Sequence, residues 1–456
     1  MKYVRLAETG KTYIRKYDNW PELKWHDNGL PWITTKSFDA PKDYSEAIRG
    51  IYSLLSALGT GEPPLDFTKE PEFLALLEYA RTHSRLTRYL IFEQPSDFGS
   101  IRLLGLVADS LNRYIHINNT IELDRDQLLP VYLPIEKWLF GEELPADVLV
   151  PILFLKFDDP VFRINEFMSV KELTQDLHLA RAWRGPMSDS TISLVEGAAT
   201  HALFISNRLL ENRTDWLAFS RAITQPESYP VELIDTFFAA LRISTGYATG
   251  FAQLLTLPLG WASRYNADLT PLHTSRMNRY PPFFENAYWL EEVPTVNSRT
   301  AGEIAQTFEN LQEILATKHK GRVRLAIDRL NLSSMRTTDE DGILDTMIAL
   351  EALLSDGRQE MTHKVSMRLA GLYKIADPAR AEQVFREMKL IYAFRSMIVH
   401  GEADLDKHRI IDRDGGKVFA VDAAAEHLRA TFAAIIKNPI LLEPKKIDSF
   451  LLNDKY

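Results

Sequence analysis

Cysteine is absent from all 456 residues of the chain, which excludes disulfide bonds, thiolate nucleophiles and cysteine-ligated zinc together. Long apolar runs are missing too, because the longest, VLVPILFLKF at 148–157, is too short for a membrane helix. The opening residues, MKYVRLAETG, lack the apolar core of a signal peptide. We therefore expect a cytoplasmic protein that makes no use of a membrane.

An excess of positive charge is also lacking, since the formal net charge is −9. This argues against a protein covered in phosphate-binding basic surface. Residues 318–409 differ, with 16 Lys and Arg against 14 Asp and Glu, a balance of +2 that leaves −11 for the rest of the chain. A local RNA site is permitted in that stretch, although the charge alone does not require one.

Signatures of cofactor and metal sites are missing as well. The glycines of STGYATG at 244–250 come without the Lys-Ser/Thr of a phosphate-binding loop. Three histidines in helical patterns lack a partner at ligand spacing, namely His116, His178 and His201. We expect neither a cofactor nor a metal ion, so that catalysis would fall to side chains such as His, Arg and Glu.

Helix signals are clearest in the last third of the chain. Capping residues, apolar residues at helical spacing and terminating glycines predict helices that begin near Thr300, Thr337, Glu360, Asp377 and Asp422. Short loops connect them, which is typical of a helical bundle. We therefore predict a helical domain over residues 300–456.

The first 299 residues are harder to interpret. Apolar spacing predicts helices at 43–58, 70–93, 98–117, 170–183, 193–211 and 230–247. Two strands joined by a turn at Asp158-Asp159-Pro160 are predicted between them. The predicted fold class is mainly α, with a small β-sheet in an N-terminal region over residues 1–299.

The stretch AFRSMIVHGE at 393–402 carries the strongest chemical pattern. Arg395 and His400 share a predicted helix that ends at Gly401, and five residues of helix place them about 140° apart around the axis and about 7.5 Å apart along it. The two can flank a phosphate: the arginine holds its oxygens while the histidine moves protons, and the helix C-terminus favours the imidazolium. Ser396, four residues before His400, can orient the imidazole or the phosphate. A second interpretation is structural, with the histidine capping carbonyls and Arg395 in an ion pair.

Three motifs in order resemble the Apea-like branch of the HEPN superfamily, over roughly residues 320–437. They are L-E-A-L at Leu350–Leu353, S-x-R-x-A at Ser366, Arg368 and Ala370, and Y-x-x-R-x-x-x-x-H-G at Tyr392, Arg395, His400 and Gly401.

The resemblance implies a HEPN-type helical bundle that pairs with a second copy and cleaves RNA without a metal. It implies Arg395 and His400 as catalytic residues, with Ser396, Tyr392, Glu402, Arg368 and Glu351 in support. Glu402 stands where some HEPN toxins carry a modifiable tyrosine, which excludes that modification here.

The resemblance also implies a role in bacterial antiphage defence or abortive infection, where such domains are often attached to a sensor region. The first 299 residues are accordingly expected to sense a phage-derived or nucleic-acid trigger and to restrain the HEPN homodimer. The alternative is an inactive HEPN domain that serves in dimerisation or in binding RNA or another ligand.

Overall fold

The computed structural model of the protein describes residues 16–39, 71–90, 98–118, 120, 122–183, 192–212, 216–286, 292–357, 360–402, 405–413 and 415–452. They fall into two compact units, each assembled from separate stretches of chain. The first unit takes its described residues from 1–151, 172–229 and 253–277, and the second from 152–171, 230–252 and 278–456. The predicted division at 299/300 is thus not the grouping that the chain contacts give.

Four of the helices of the first unit contribute to an aromatic core that includes Tyr114, Trp138, Phe219 and Trp261. The helices of this unit are α1 Pro71–Thr82, α2 Ser84–Leu90, α3 Phe98–Asn118, α4 Arg125–Phe140, α5 Gln175–Ala182, α6 Leu194–Gly197 and α7 Trp216–Thr224.

Helix α4 was not predicted, and it continues through two prolines that cannot donate a backbone hydrogen bond. Tertiary contacts hold it: Trp138 is buried, and the Tyr265 hydroxyl donates to the carbonyl of Val131 at 2.7 Å.

The strands of the first unit form a hairpin and a larger sheet. The hairpin pairs β1 Lys16–Trp25 with β2 Pro31–Asp39. In the sheet, β3 pairs antiparallel with β8, with Leu149 opposite Leu255, and the neighbours run in the order β7, β3, β8, β9. Their bounds are β3 Glu143–Ile152, β7 His201–Glu211, β8 Phe251–Pro258 and β9 His273–Arg279.

The predicted small sheet was therefore too small, and the helix predicted at 193–211 was wrong beyond its first turn. Residues 201–205 are all buried in β7, and such a continuous apolar run looks the same in a buried strand and a buried helix. At 170–183 only α5 is helical, and it follows a strand at Met168–Glu172. The helices predicted at 70–93, 98–117 and 230–247 are confirmed, whereas 43–58 lies outside the described residues.

The second unit contains the helical bundle together with short strands. The strands differ in pairing from the prediction: β4 Lys156–Phe157 pairs in parallel with β10 Thr295–Val296, and β5 Val161–Arg163 pairs with β6 Met168–Glu172. The helices are α8 Val231–Thr245, α9 Ser298–Leu315, α10 Lys320–Ser333, α11 Asp339–Leu354, α12 Met361–Ala376, α13 Ala381–His400, α14 Ala420–Lys437 and α15 Pro444–Leu452.

Every helix predicted in the last third is present, although four of the N-terminal caps, at Asn297, Thr338, Arg380 and Phe419, lie one to three residues away from the predicted positions. Asn297 caps α9 by accepting from the Thr300 N–H at 2.9 Å, and Thr338 caps α11 by accepting from the Asp341 N–H at 3.3 Å. A hairpin between α13 and α14, β11 Ile410–Arg413 and β12 Gly416–Phe419, was not predicted. The chain is mainly helical, as expected.

Helix α8 belongs to the same bundle and packs against α9, α10 and α14. Arg242 of α8 donates to Asn331 Oδ1 at 2.6 Å, and Asn331 donates to the carbonyl of Asp235 at 2.9 Å. These buried bonds join α8 to α10. No helix in the described ranges is long and apolar enough to cross a membrane.

Candidate functional site at the end of helix α13

Helix α13 ends in a defined cap directly after His400. Gly401 adopts a left-handed conformation with φ of 68°. Its N–H donates to the carbonyl of Ile398 at 3.2 Å, and the N–H of Glu402 donates to the carbonyl of Met397 at 3.1 Å. This pair of bonds is a Schellman motif, which fixes the position of the last helical residue. His400 is therefore held on a rigid backbone.

The predicted site residues in the last turns of α13, just before this cap, are accessible to solvent. His400 and Ser396 are exposed, and Arg395 is half-buried. Within the described residues, no hydrogen bond joins Ser396 to His400, and no ion pair neutralises Arg395. The structural interpretation of Arg395 as an ion-pair partner is thus not supported in this part of the chain, and the expected orienting bond from Ser396 is not formed.

Tyr392 links Arg395 to helix α11. Its side chain is only 6% exposed. Burial and the nearby charge of Glu351 raise the pKa of Tyr392, while Arg395 lowers it. The structure therefore brings together three of the predicted residues: Glu351, Tyr392 and Arg395.

Arg368 lies elsewhere, in a saturated buried cluster. Its Nε and Nη2 donate to the two carboxylate oxygens of Asp448, each at 2.7 Å, and its Nη1 donates to the carbonyl of Leu354 at 2.8 Å. The guanidinium is 1% exposed and joins α12 to α15 and to the end of α11. Its contacts are those of a structural residue. The Glu402 side chain is exposed beyond the cap, to which it contributes its backbone N–H.

The middle of α13 carries a second polar cluster, which the sequence analysis missed. Glu387 is 2% exposed and accepts two hydrogen bonds from Arg413, both at 2.9 Å, and one from His427 Nε2 at 3.0 Å. His427 Nδ1 in turn faces the Tyr373 hydroxyl at 3.1 Å. Burial alone would raise the pKa of Glu387, but the bonds from His427 and Arg413 outweigh it and hold the pKa at about 2.

Arg413 also donates to Glu426 at 2.8 Å, so the β11–β12 hairpin is fastened to both α13 and α14. This cluster could not have been found from sequence spacing, because its members come from four separate elements. Among the described residues, no three His, Asp or Glu side chains are grouped as ligands for a metal ion.

The geometry at the end of α13 can bind an anion and transfer a proton. Within the described residues Arg395 is a cation without a carboxylate ion pair, and His400 offers an exposed imidazole. No protein-family model, no curated protein and no solved structure matches this chain, so the resemblance to Apea-like HEPN proteins is carried by the three sequence motifs.

Proposed function

We propose that the bundle of the second unit is a HEPN-type domain and that the protein is an endoribonuclease acting without a metal. One observation carries the proposal: α13 presents an exposed His400 beside the cap and an Arg395 that makes no ion pair with any described residue, whereas the arginines at 368 and 413 are paired with carboxylates. The three motifs add support.

The chemistry is an internal transesterification. The RNA 2′-hydroxyl attacks phosphorus and loses its proton to a base, the bond from phosphorus to the 5′-oxygen breaks, and an acid gives a proton to that leaving oxygen. Arg395 balances the charge that develops on the non-bridging oxygens, and His400 transfers one of the two protons. The products are a 2′,3′-cyclic phosphate and a 5′-hydroxyl.

A second copy of the chain supplies the other proton-transfer group. One face of α13 is exposed along its length, through Lys389, Leu390, Ala393, Ser396 and His400, which recur at helical spacing. A two-fold contact along this face would bring two histidines together. We expect a homodimer by sedimentation velocity, and Leu390→Glu should give monomers with little cleavage. An active wild-type monomer at nanomolar concentration would contradict this part.

Cleavage of mixed cellular RNA in EDTA tests the activity itself. The wild type should leave cyclic phosphate ends, and His400→Ala should be slower by at least about a hundredfold, the range for loss of a general acid or base. His363→Ala is the matched control, because that histidine is also exposed but lies on α12. Equal rates in wild type and His400→Ala would leave the domain as a dimerisation or binding module.

We place the enzyme in bacterial antiphage defence, with residues 1–299 restraining it until a trigger binds. Expression of residues 300–456 alone would test this if the fragment folds, but it lacks Asp235 and Arg242, whose bonds to Asn331 join α8 to the bundle. Residues 230–456 keep these bonds and are the better fragment. We expect that fragment to be more toxic than the whole chain, and its toxicity to vanish with Arg395→Ala. A soluble, folded and harmless fragment, beside a constitutively active full chain, would contradict restraint.

A further inference from the structure

Basic side chains from two distant parts of the sequence meet at one end of the bundle. The turn between α9 and α10 contacts the start of α15: Lys318 Nζ lies 2.9 Å from Glu443 Oε1, and Arg322 Nη1 donates to the carbonyl of Leu442 at 2.7 Å. These contacts bring two short sequence runs together. We call the resulting surface the basic end, and its members are Lys318, His319, Lys320, Lys445 and Lys446.

The charge of the basic end is largely unneutralised. Lys320, Lys445 and Lys446 are exposed, and none has an ion-pair partner within the described residues. Glu443 pairs with Lys318, whose hydrogen bond lowers the pKa of that carboxyl. Partial burial and the charges of Lys318 and Arg322 lower the pKa of His319. Of the four lysines of the basic end, Lys318 alone forms an ion pair within the described residues, on a chain whose formal net charge is −9.

The basic end lies at the same end of α11 as Glu351. Arg322 Nη2 donates to the carbonyl of Ser355, which directly follows α11, at 2.8 Å. Glu351 is four residues earlier, about 6 Å along the helix, and is the residue whose charge acts on Tyr392.

Helices α11 and α13 run in opposite directions, and this arrangement determines the distance between the basic end and His400. Glu351, near the end of α11, interacts with Tyr392, whereas Arg409, nine residues beyond His400, pairs with Glu340 at the start of α11. From Tyr392 to His400 is about 12 Å of helix, so the basic end lies roughly 18 Å from the level of His400 along the bundle axis. At about 3.4 Å per nucleotide of stacked strand, five or six nucleotides cover that distance.

We infer that the basic end is a second RNA-binding surface, which holds the backbone phosphates of the same strand whose scissile bond lies at His400. The inference rests on the proposed function for its ligand. Lysine ammonium groups are point charges that contact phosphates without reading bases, so the surface adds affinity without sequence preference. It gives a reason to expect longer RNA to be cleaved better than very short RNA.

Binding is measured by fluorescence anisotropy with labelled polyuridine RNA of about 30 nucleotides, on the full-length His400→Ala protein. The test variant adds Lys320→Ala, Lys445→Ala and Lys446→Ala. A control variant removes three exposed cations elsewhere in the second unit, with Arg163→Ala, Arg299→Ala and Lys417→Ala. Both variants lower the net charge equally, so a difference between them reports position rather than total charge.

We expect the test variant to bind at least about tenfold more weakly at low salt and to lower the slope of log affinity against log salt by about 2, because each lost phosphate contact removes about 0.7. The control should change both quantities little. Unchanged binding in the test variant, or an equal loss in the control, overturns the inference, as does binding to phosphatidylserine vesicles in preference to RNA.

Cleavage separates this inference from the proposed function. With His400 intact, the test variant should raise KM for the long RNA and leave kcat unchanged, and a trinucleotide should be cleaved as by wild type. If wild type binds RNA through the basic end but cleaves nothing, the surface stands and the ribonuclease assignment fails. If wild type cleaves and the test variant has the wild-type KM, the surface fails and the ribonuclease stands.

Discussion

The polar side chains in the middle of helix α13 are buried and hydrogen-bonded, whereas those at its end are accessible to solvent. Glu387 is buried and its two carboxylate oxygens are fully occupied by Arg413, His427 and Gln383. About two turns later Arg395 has no ion pair within the described residues, and at the end of the helix His400 faces solvent. The same helix therefore carries charge that the fold uses internally and charge that it leaves available.

This difference teaches where binding energy can come from. A buried cation already paired with a carboxylate has little left to offer a phosphate, because its desolvation has been compensated within the fold. An unneutralised guanidinium on a rigid helix keeps that capacity. Substitutions in the middle of α13 should therefore change stability, and those at its end should change activity.

The largest effect is expected from Glu387→Ala. Removing this carboxylate leaves the buried His427 without its acceptor and leaves Arg413 with Glu426 alone, which costs about 3–5 kcal/mol of unfolding free energy. Glu382→Ala on the same helix is the control, since Glu382 is exposed and its ion pair with Arg386 spans 3.6 Å at the surface. The control should change stability by less than about 0.5 kcal/mol. Urea unfolding measures the unfolding free energy of both variants. An equal loss in Glu387→Ala and Glu382→Ala would show that the buried cluster is no more important for stability than the exposed ion pair.

The same cluster predicts a loss of stability in acid. The pKa of Glu387 is depressed to about 2 in the folded protein, against about 4.3 when unfolded, so its contribution is complete above about pH 4.3 and is lost as pH falls toward 2. The shift corresponds to about 3 kcal/mol. The pKa of Glu426 is also lowered, by its hydrogen bonds from Arg413 and Arg380, so Glu426 contributes to the same loss of stability in acid.

Unfolding free energies measured between pH 6 and pH 3 should therefore fall more steeply in wild type than in Glu387→Gln. Parallel curves for the two proteins would show that Glu387 is not the titrating group.

Arg395→Ala should have the next largest effect, and on activity rather than on stability. Loss of a group that stabilises charge in the transition state costs about a hundredfold in kcat. Stability should change by less than about 0.5 kcal/mol, since the side chain makes no ion pair in the described part of the chain. Arg395→Lys keeps the charge but not the two-pronged geometry and should recover only part of the rate.

Arg386→Ala, an exposed arginine earlier on α13, is the matched control for activity. A similar rate loss in that variant would show that the helix face, rather than Arg395, matters.

The helices of the last third of the chain were predicted well because residues close in sequence determine where each helix begins and ends. Thr338, Pro378 and Gly401 each have a backbone consequence within one turn. Strand β7 was predicted wrongly because a strand buried on both faces carries no alternation to identify it.

In the candidate site, too, the relations between residues of one helix could be predicted, and those between distant segments could not. Arg395 and His400 share a helix, so their relation follows from helix geometry, and Tyr392 is on the same helix. The role of Arg368 could not be predicted, because its partner Asp448 is eighty residues away in sequence. The basic end was missed for the same reason: Lys320 and Lys445 are far apart in sequence, and it is the contact of Arg322 with the carbonyl of Leu442 that brings their segments to one end of the bundle.

The smallest effect is expected at the cap itself, from Gly401→Ala. The left-handed conformation at Gly401 costs a residue with a Cβ about 1 kcal/mol, and apart from the adjoining backbone no described atom lies within 4 Å of that Cβ, so we expect the cost to be one of backbone conformation. Gly401→Asn should cost less, because asparagine tolerates this conformation better. Urea unfolding should rank glycine above asparagine above alanine, and cleavage should follow the same order within about tenfold if the cap orients His400. If Gly401→Ala loses stability as expected but cleaves RNA at the wild-type rate, the cap does not orient His400. The helix would then be needed only to position Arg395.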